Sequence, residues 1–440
     1  MFKRLHLFVF ILLPTLLVAQ DTSFVAQLKD KVNRYLDKEH ALDGYYLIDT
    51  SGVSIFETPE AKANGLVEYK VFWDEVGEIN RLFKRFTSEE LLHYLQAKKD
   101  RNLLGTTRSE GLLRLDPPLD HPLKGIRIAL DPGHMATTME EAKMEKKFIE
   151  MKANEKTGLK KDISLIEAQL TFETTALLKI KLEEQGGIVL LTRPNYHGTA
   201  FEIDFPPSST AFDQWMRTSF KAATDTACAN QDITEEEKQF LLNQASKKEI
   251  FRKLFTSLET KERARKINAF NPDFTIIIHY NVDEKNLDWA APTKKNFDMT
   301  FVSGSFMKDE LEKPINRAEF LRLIISPDIK RSIKFSSYFI KSFEKNLQVP
   351  TAQFADADYL QHYSLPTEKP GVYCRNLALT RLVHGTLVYG ETLYQDNESE
   401  LRALSKKTIQ VNGVQTSERV QQVASAYYEA ILNYLSKGKE

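Results

Sequence analysis

Cysteine is nearly absent from this chain, with only Cys228 and Cys374 among 440 residues. Two thiols are too few for a disulfide scaffold or for a zinc site built from cysteines. They could pair with each other in an oxidising compartment, but the sequence does not show that they do. Neither lies in a turn or at a helix start that would stabilise a thiolate, so we do not expect a catalytic cysteine.

An excess of charge of either sign is also missing. The 60 basic residues are matched by 61 acidic residues, which gives a formal net charge of −1. Without a general positive field, the chain is not predicted to bind nucleic acid or an anionic membrane surface. The length and the 42% hydrophobic content are enough to bury a substantial core, in one large or two ordinary domains.

An apolar run long enough to span a membrane is missing as well. Lys3 and Arg4 precede the apolar residues 5–13, and Pro14 breaks this run. The layout is that of a secretory signal, which we assign to residues 1–20, whereas a membrane span needs roughly 20 apolar residues. We therefore expect an exported protein, periplasmic or extracellular, without a stable membrane anchor. An uncleaved anchor is the alternative.

Predicted strands and helices alternate over most of the chain. Strands at Ile126–Leu130, Ile188–Thr192 and Thr275–His279 are separated by helices at about 163–184 and 261–270. This order predicts an α/β fold with a mainly parallel central sheet flanked by helices.

The proline-rich residues 116–122 indicate a linker. We therefore predict a small α+β N-terminal domain over residues 21–123, for which the sequence suggests no role, and an α/β domain over residues 124–440. The polar, charged segments at about 137–161 and 194–260 do not fit the alternation and are interpreted as helical insertions.

Two of the predicted strands lead to a histidine. The strand Ile126–Leu130 continues through a tight turn to His134, and the strand Thr275–Ile278 leads directly to His279. The carboxyl ends of parallel strands meet where open α/β sheets bind their ligands, so we expect the two imidazoles to lie close together. Alone, each histidine would more often be a hydrogen-bonded structural residue. Together they predict a metal site.

Zinc in hydrolases usually takes three protein ligands, for example two histidines and a glutamate, and keeps one position for water. Glu167, at the start of the helix after His134, is well placed to be the third ligand. Asp162 and Glu173 compete for this role. Glu173 lies about two turns further along the helix, and Asp162 is better explained as a residue that caps the first turn.

A carboxylate near the metal is the second requirement, because it takes a proton from water and returns it to the leaving amine. Glu391 follows the predicted strand Thr386–Gly390 and so reaches the same edge of the sheet. Asp131 could orient His134 or cap the turn. His384 is a further candidate for the pocket.

Four segments, taken together, resemble the zinc-dependent N-acetylmuramoyl-L-alanine amidases of the amidase 3 family. Asp131–His134 matches a DPGH block, although Met135 and Ala136 stand where glycines are usual. The next three blocks are similar, in the same order, to Glu167–Arg193 (with Ala168 where lysine is usual), Arg263–Asn281 and Leu387–Asn397.

The resemblance covers about Lys124 to the C-terminus, apart from the two insertions. It implies a domain in which His134, Glu167 and His279 bind Zn²⁺ and Glu391 is catalytic. It also implies a peptidoglycan or muropeptide substrate, cut between the lactyl group of N-acetylmuramic acid and L-alanine. A zinc peptidase acting on another wall amide and a catalytically inactive wall-binding or regulatory homologue are the alternatives.

Both insertions leave from the sheet edge that carries the histidines, so they could wall or cover a cleft. The alternative is that the insertions are solvent-exposed helices that do not contribute to a cleft. The segment 137–161 could also be a lid that a protein activator moves, with one of its glutamates in the open metal position.

Overall fold

The computed structural model describes residues 23–84, 86–98, 121–196, 198–201, 209–230, 232–286, 289, 291–411 and 413–437. The predicted signal segment and most of the predicted linker lie outside these residues. A seven-stranded sheet forms the centre. Its strands, in spatial order, are Ser364–Pro366 (β10), Val372–Arg375 (β11), Met299–Ser303 (β9), Leu387–Tyr394 (β12), Phe274–Asn281 (β8), Arg127–Pro132 (β4) and Ile188–Leu191 (β7).

Most neighbouring strands of this sheet run parallel. The four strands β12, β8, β4 and β7 are all parallel to one another. Strand β9 is antiparallel to β12 and parallel to β11, and β10 adds an antiparallel edge. Every residue of β8 is buried, as expected for a central parallel strand covered on both faces. The predicted mainly parallel α/β sheet is confirmed.

Helices cover both faces of the sheet. One face packs against Glu167–Glu184 (α6), Asp328–Leu347 (α13) and Glu418–Lys437 (α17), and the other against Glu259–Phe270 (α11) and Ala378–Leu382 (α15). Shorter helices are Asp358–Tyr363 (α14) and Glu398–Leu404 (α16), and Ile409–Val411 (β13) pairs with Val414–Thr416 (β14). None of the helices in the described part of the chain is long and apolar enough to cross a membrane.

The N-terminal region is a small α+β unit, as predicted. Its antiparallel sheet comprises Tyr46–Ile48 (β1), Gly52–Ile55 (β2) and Tyr69–Phe72 (β3), and its helices are residues 23–31 (α1), Pro59–Ala63 (α2), Val76–Phe83 (α3) and Ser88–Ala97 (α4). Its apolar side chains form one core with the helix Pro314–Ile325 (α12) and with residues of β9 and β11. The region is therefore packed directly onto the α/β sheet.

The helix predicted over about residues 163–184 begins later than predicted. Residues Ile163–Ile166 form a strand (β6) that pairs antiparallel with Phe148–Met151 (β5), and α6 starts at Glu167. The short apolar run alternates in the way a strand requires, and its partner strand decides between the two structures. Asp162 does not cap α6. It accepts hydrogen bonds from Lys152 and from the backbone of Ala153.

The two insertions are folded segments that pack together. The first contains Met139–Glu145 (α5) and the β5–β6 hairpin, and the second contains helices with a hydrophobic core of their own. The helices of the second insertion are Ser209–Trp215 (α7), Lys221–Ala229 (α8), Glu235–Asn243 (α9) and Lys247–Arg252 (α10), with π-helical turns at Met216–Phe220 and Lys253–Leu258. Helix α10 contacts α5, so the insertions support each other.

A buried charged network joins the N-terminal region to α12. The Glu319 carboxylate accepts hydrogen bonds from Arg322 (2.5 Å), His384 (2.9 Å) and Ser88 (2.5 Å). The other ring nitrogen of His384 faces the Phe83 carbonyl. Burial alone would raise the pKa of Glu319, but the charges of Arg322 and His384 outweigh it and hold this pKa at about 2. The network therefore depends on an ionised Glu319.

We expect Glu319→Ala to lower the free energy of unfolding by about 3–5 kcal/mol, because it removes the buried anion that accepts hydrogen bonds from Arg322 and His384 and leaves only Asp328 to pair with Arg322. Ser88→Ala is the control and should cost about 1 kcal/mol, since it removes one neutral donor. Urea denaturation measures both values. Equal losses in the two variants would contradict this account of the network.

Asp298 precedes β9, and one of its oxygens accepts the Leu393 amide at 2.9 Å. The other oxygen is buried and has no partner among the described residues. Burial raises the pKa of Asp298 from 3.8 to about 8, despite the hydrogen bond from Leu393. The folded chain thus keeps a proton that the unfolded chain releases. The free energy of unfolding should therefore fall as the pH rises through this window.

Asp298→Asn keeps the acceptor for Leu393 but cannot ionise. We expect its free energy of unfolding to decline less between pH 5 and pH 8 than that of the unaltered chain, as measured by urea denaturation at both values. The same decline in both proteins would show that Asp298 does not bind a proton on folding.

Candidate metal centre

The turn after β4 and the end of β8 lie side by side. Pro132 pairs with Ile278 in the parallel register, and the Gly133 amide donates to the Ile278 carbonyl at 2.9 Å. His134 adopts a φ of +57°, a left-handed conformation that turns the chain out of the strand. His134 and His279 thereby come together, with ring centroids 4.7 Å apart.

Glycine is required at position 133. A Cβ atom there would lie 2.3 Å from the His279 ring, far inside van der Waals contact. Arg263 of α11 holds the same turn, because its guanidinium donates to the Pro132 carbonyl at 2.9 Å and to the His134 carbonyl at 2.8 Å. The backbone around His134 is therefore fixed from both sides.

Glu167 completes a three-residue group. It is the first residue of α6, it is buried, and one of its oxygens lies 3.1 Å from His134 Nε2 and 3.1 Å from His279 Nδ1. One ligand atom from each of the three residues lies within 4.8 Å of the others. The group could hold a metal ion.

The state of the His134 ring fits this use. Its Nδ1 is hydrogen-bonded to Glu145 of α5 at 3.1 Å, and the same carboxylate accepts the backbone amide of Ala136 at 3.2 Å. Its Nε2 is buried and makes no hydrogen bond to any described residue, although it faces Glu167. Burial would lower the pKa of His134, but the negative charges of Glu167 and Glu145 outweigh it and raise this pKa to about 9. The ring is therefore protonated near neutral pH, and a metal at Nε2 would displace that proton while Glu145 accepts the proton on Nδ1.

Glu391 lies beside this group, within β12 rather than after it. In the parallel register of β12 and β8 it pairs with His279, and in the antiparallel register of β12 and β9 it pairs with Met299. Tyr389, two residues earlier, stacks on the His279 ring with centroids 4.4 Å apart. As a whole, the residue Glu391 is intermediate between buried and exposed.

The charges give the two carboxylates opposite character. Burial would raise the pKa of Glu167, but the charges of His134 and Lys147 outweigh it and place this pKa well below its usual range. Burial raises the pKa of Glu391, and the negative charge of Glu167 adds to the effect, so that it reaches about 7. Burial also lowers the pKa of His279 to about 4. Glu167 is thus an anion and His279 is neutral at neutral pH.

The other ligand candidates have partners elsewhere. Glu173 is bound by Lys407 at 2.5 Å and by Thr416 at 2.7 Å, and Asp162 belongs to the β5–β6 hairpin. His384 lies in the charged network with Glu319. The structure brings none of these three residues into the group.

Asp131 does not contact His134. It accepts a hydrogen bond from Thr192 and lies 3.4 Å from the guanidinium of Arg263. The partner of His134 is Glu145, which the sequence analysis did not single out. The only signal was the glutamate-rich composition of its segment, which cannot tell one glutamate from the next.

A cleft of about 260 Å³ opens onto the two histidines. Glu145 and Lys147 of the first insertion line it, and so do Phe255 and Thr256 of the second insertion. Both insertions therefore wall this cleft, one of the two interpretations that the sequence left open.

No model of a known protein family matches the chain, and no curated protein matches it. Solved structures do. The CwlD amidase from Clostridioides difficile, solved in complex with the GerS lipoprotein, is 15% identical and has a TM-score of 0.36, and the match covers 71% of this chain and 99% of that one. Ami1 from Mycobacterium abscessus, an N-acetylmuramyl-L-alanine amidase, is 14% identical over 71% of this chain and 99% of its own, with a TM-score of 0.36. Ami1 from Mycobacterium smegmatis has 14% identity, coverages of 72% and 99%, and a TM-score of 0.37.

Proposed function

We propose that this chain is a zinc-dependent hydrolase that cleaves the amide between N-acetylmuramic acid and L-alanine in peptidoglycan. The observation that carries the proposal is the convergence of His134, Glu167 and His279 within 4.8 Å, next to a cleft that the two histidines line. Residues from three separate parts of the chain form this group, and all three were expected there from the resemblance.

The donor set supports zinc as the metal. Two imidazole nitrogens and one carboxylate match the ligands of hydrolytic zinc sites, which keep a further position open. Such an ion, when bound, supplies Lewis-acid polarisation of the scissile carbonyl and lowers the pKa of water.

The residues of the chain have separate tasks in this mechanism. Glu167 stays ionised and holds the metal, because its pKa is well below neutrality. Glu391, with a pKa of about 7, takes the proton from the attacking water and passes it to the departing alanine nitrogen. Glu145 holds the imidazole of His134 in one orientation. Opposite pKa shifts in two nearby carboxylates are the usual sign of such a division of roles.

The proposed function also assigns a role to most other regions of the chain. Residues 124–440 form the catalytic domain in this scheme, residues 21–123 are a packed N-terminal domain of undefined role, and residues 1–20 direct export to the wall. A protein activator that acts on the insertions is compatible with their position at the cleft.

Metal analysis and a peptidoglycan digest test this function together. The amidase releases intact stem peptides with a free L-alanine amino group. A zinc peptidase releases shortened stems, and an inactive wall-binding homologue releases nothing. Either of the last two results, obtained with zinc-loaded protein, would replace the proposed activity.

We expect Glu391→Gln to keep stoichiometric zinc and to lose activity by about 10²–10⁴-fold, because an amide cannot accept the proton. Zinc content is measured by elemental analysis and activity by release of stem peptides. Activity within a few-fold of the unaltered protein would exclude Glu391 as the base.

Two control variants help to interpret the effect of Glu391→Gln. Glu398→Gln, at an exposed position of α16, should leave zinc content and activity unchanged. His279→Ala should lose both, since it removes a proposed ligand.

Glu145→Ala is expected to raise the dissociation constant for zinc by about 10–100-fold, the usual effect of losing a carboxylate that orients a ligating histidine. Competition with a chromogenic chelator measures the constant. Glu140→Ala, on the exposed face of the same helix, is the matched control. Equal zinc affinities in the two variants would show that Glu145 does not position His134.

A further inference from the structure

Arg375 has an unusual position beside the proposed catalytic site. It ends β11, two strands away from β12, and its side chain lies between two aromatic rings. Its guanidinium carbon is 4.6 Å from the centre of the Phe301 ring and 4.5 Å from that of the Tyr359 ring. Phe301 in turn pairs with Tyr389 across β9 and β12. The two rings hold the guanidinium on the face of the sheet that carries His279 and Glu391.

Apart from these two rings, the Arg375 side chain has no hydrogen-bond or ion-pair partner among the described residues. No carboxylate lies within ion-pair distance, no hydrogen bond is formed, and the buried Nε atom is unsatisfied. Three buried arginines are bound by acids, namely Arg263 by Glu259, Arg317 by Glu68 and Arg322 by Glu319, whereas the buried Arg193 donates to the Ala168 carbonyl. A partly buried guanidinium without an anion is costly unless something else supplies that anion.

The positive charge of Arg375 acts on the site itself. It lowers the pKa of Glu391, against the larger opposing effects of burial and of Glu167. Two other cations of the described residues line the cleft, but Lys147 lies 3.9 Å from a Glu167 oxygen, and Arg263 is paired with Glu259 and Asp131. Arg375 is therefore the cation near Glu391 that is left for a substrate.

We propose that Arg375 binds a carboxylate of the substrate, so that the enzyme prefers a stem peptide with a free carboxylate near the scissile amide. This inference rests on the proposed amidase function and adds a substrate class to it. A guanidinium fixed by stacking presents its donors in a planar fork that matches a carboxylate, whereas an amide offers only one acceptor oxygen. The second stem residue, D-glutamate linked through its side chain, carries an α-carboxyl group that is either free or amidated.

The test uses two substrates that differ at this group alone: N-acetylmuramoyl-L-alanyl-D-glutamate and the same compound with the α-carboxyl amidated. The zinc-loaded protein should cleave the acid with a kcat/KM about 10–100-fold higher, the range expected for a charge-assisted bond. Arg375→Gln should lower kcat/KM for the acid to the level of the amide, mainly through KM, and leave the amide unchanged. Arg375→Lys should recover part of the preference.

The outcomes separate the two proposals. Equal cleavage of acid and amide by the unaltered protein overturns the role of Arg375 and leaves the amidase function intact, and so does an Arg375→Gln variant that slows both substrates alike. Cleavage of neither substrate overturns the function and this inference with it. Zinc content and thermal unfolding control for folding, and Arg34→Gln, at an exposed arginine, is the matched neutral variant. If Arg375→Gln does not fold, the acid-to-amide ratio of the unaltered protein decides alone.

Discussion

The contact between the Gly133 backbone and the His279 ring is the constraint on which the site depends. The register of β4 and β8 places the turn of one strand directly against the side chain that ends the other. Only a residue without a Cβ atom allows this approach, and only a left-handed residue at 134 then returns its imidazole toward His279. The positions of the two histidines are thus set by backbone geometry, and α6 needs only to place Glu167 beside them.

The different pKa values of Glu167 and Glu391 follow from the charges that lie near each carboxylate. Glu167 stays an anion because a histidine on one side and Lys147 on another compensate for its burial. For Glu391, burial and the negative charge of Glu167 outweigh the nearby cations Lys147, Arg375 and His134, so its affinity for a proton rises. A metal cation would enter a group that already has an anionic Glu167 and a neutral His279, and it would displace the Nε2 proton of His134. The same arrangement leaves one carboxylate ready to exchange a proton near neutral pH.

The sequence predicted those parts of the site that depend on local order. Apolar runs that end in Gly133-His134 and in His279 identify strand ends, and parallel strand ends meet at one edge. The prediction of the start of α6 was wrong because Ile163–Ile166 is too short for periodicity to separate strand from helix. Glu145 and Arg375 were missed for another reason. Each is an ordinary surface residue in sequence, and only the tertiary contacts of α5 and of the Phe301 ring bring it to the site.

The departures from the family pattern have one structural explanation. Met135 is buried in the hydrophobic core of the second insertion, and Ala136 packs in a small cluster with Ala142 of α5 and with Ala168 of α6. Glycines at 135 and 136, or a lysine at 168, would remove or disrupt these contacts. The same contacts anchor α5, which carries Glu145. Met135 and Ala136 therefore connect the two insertions to the candidate metal site, where Glu145 contacts the His134 ring.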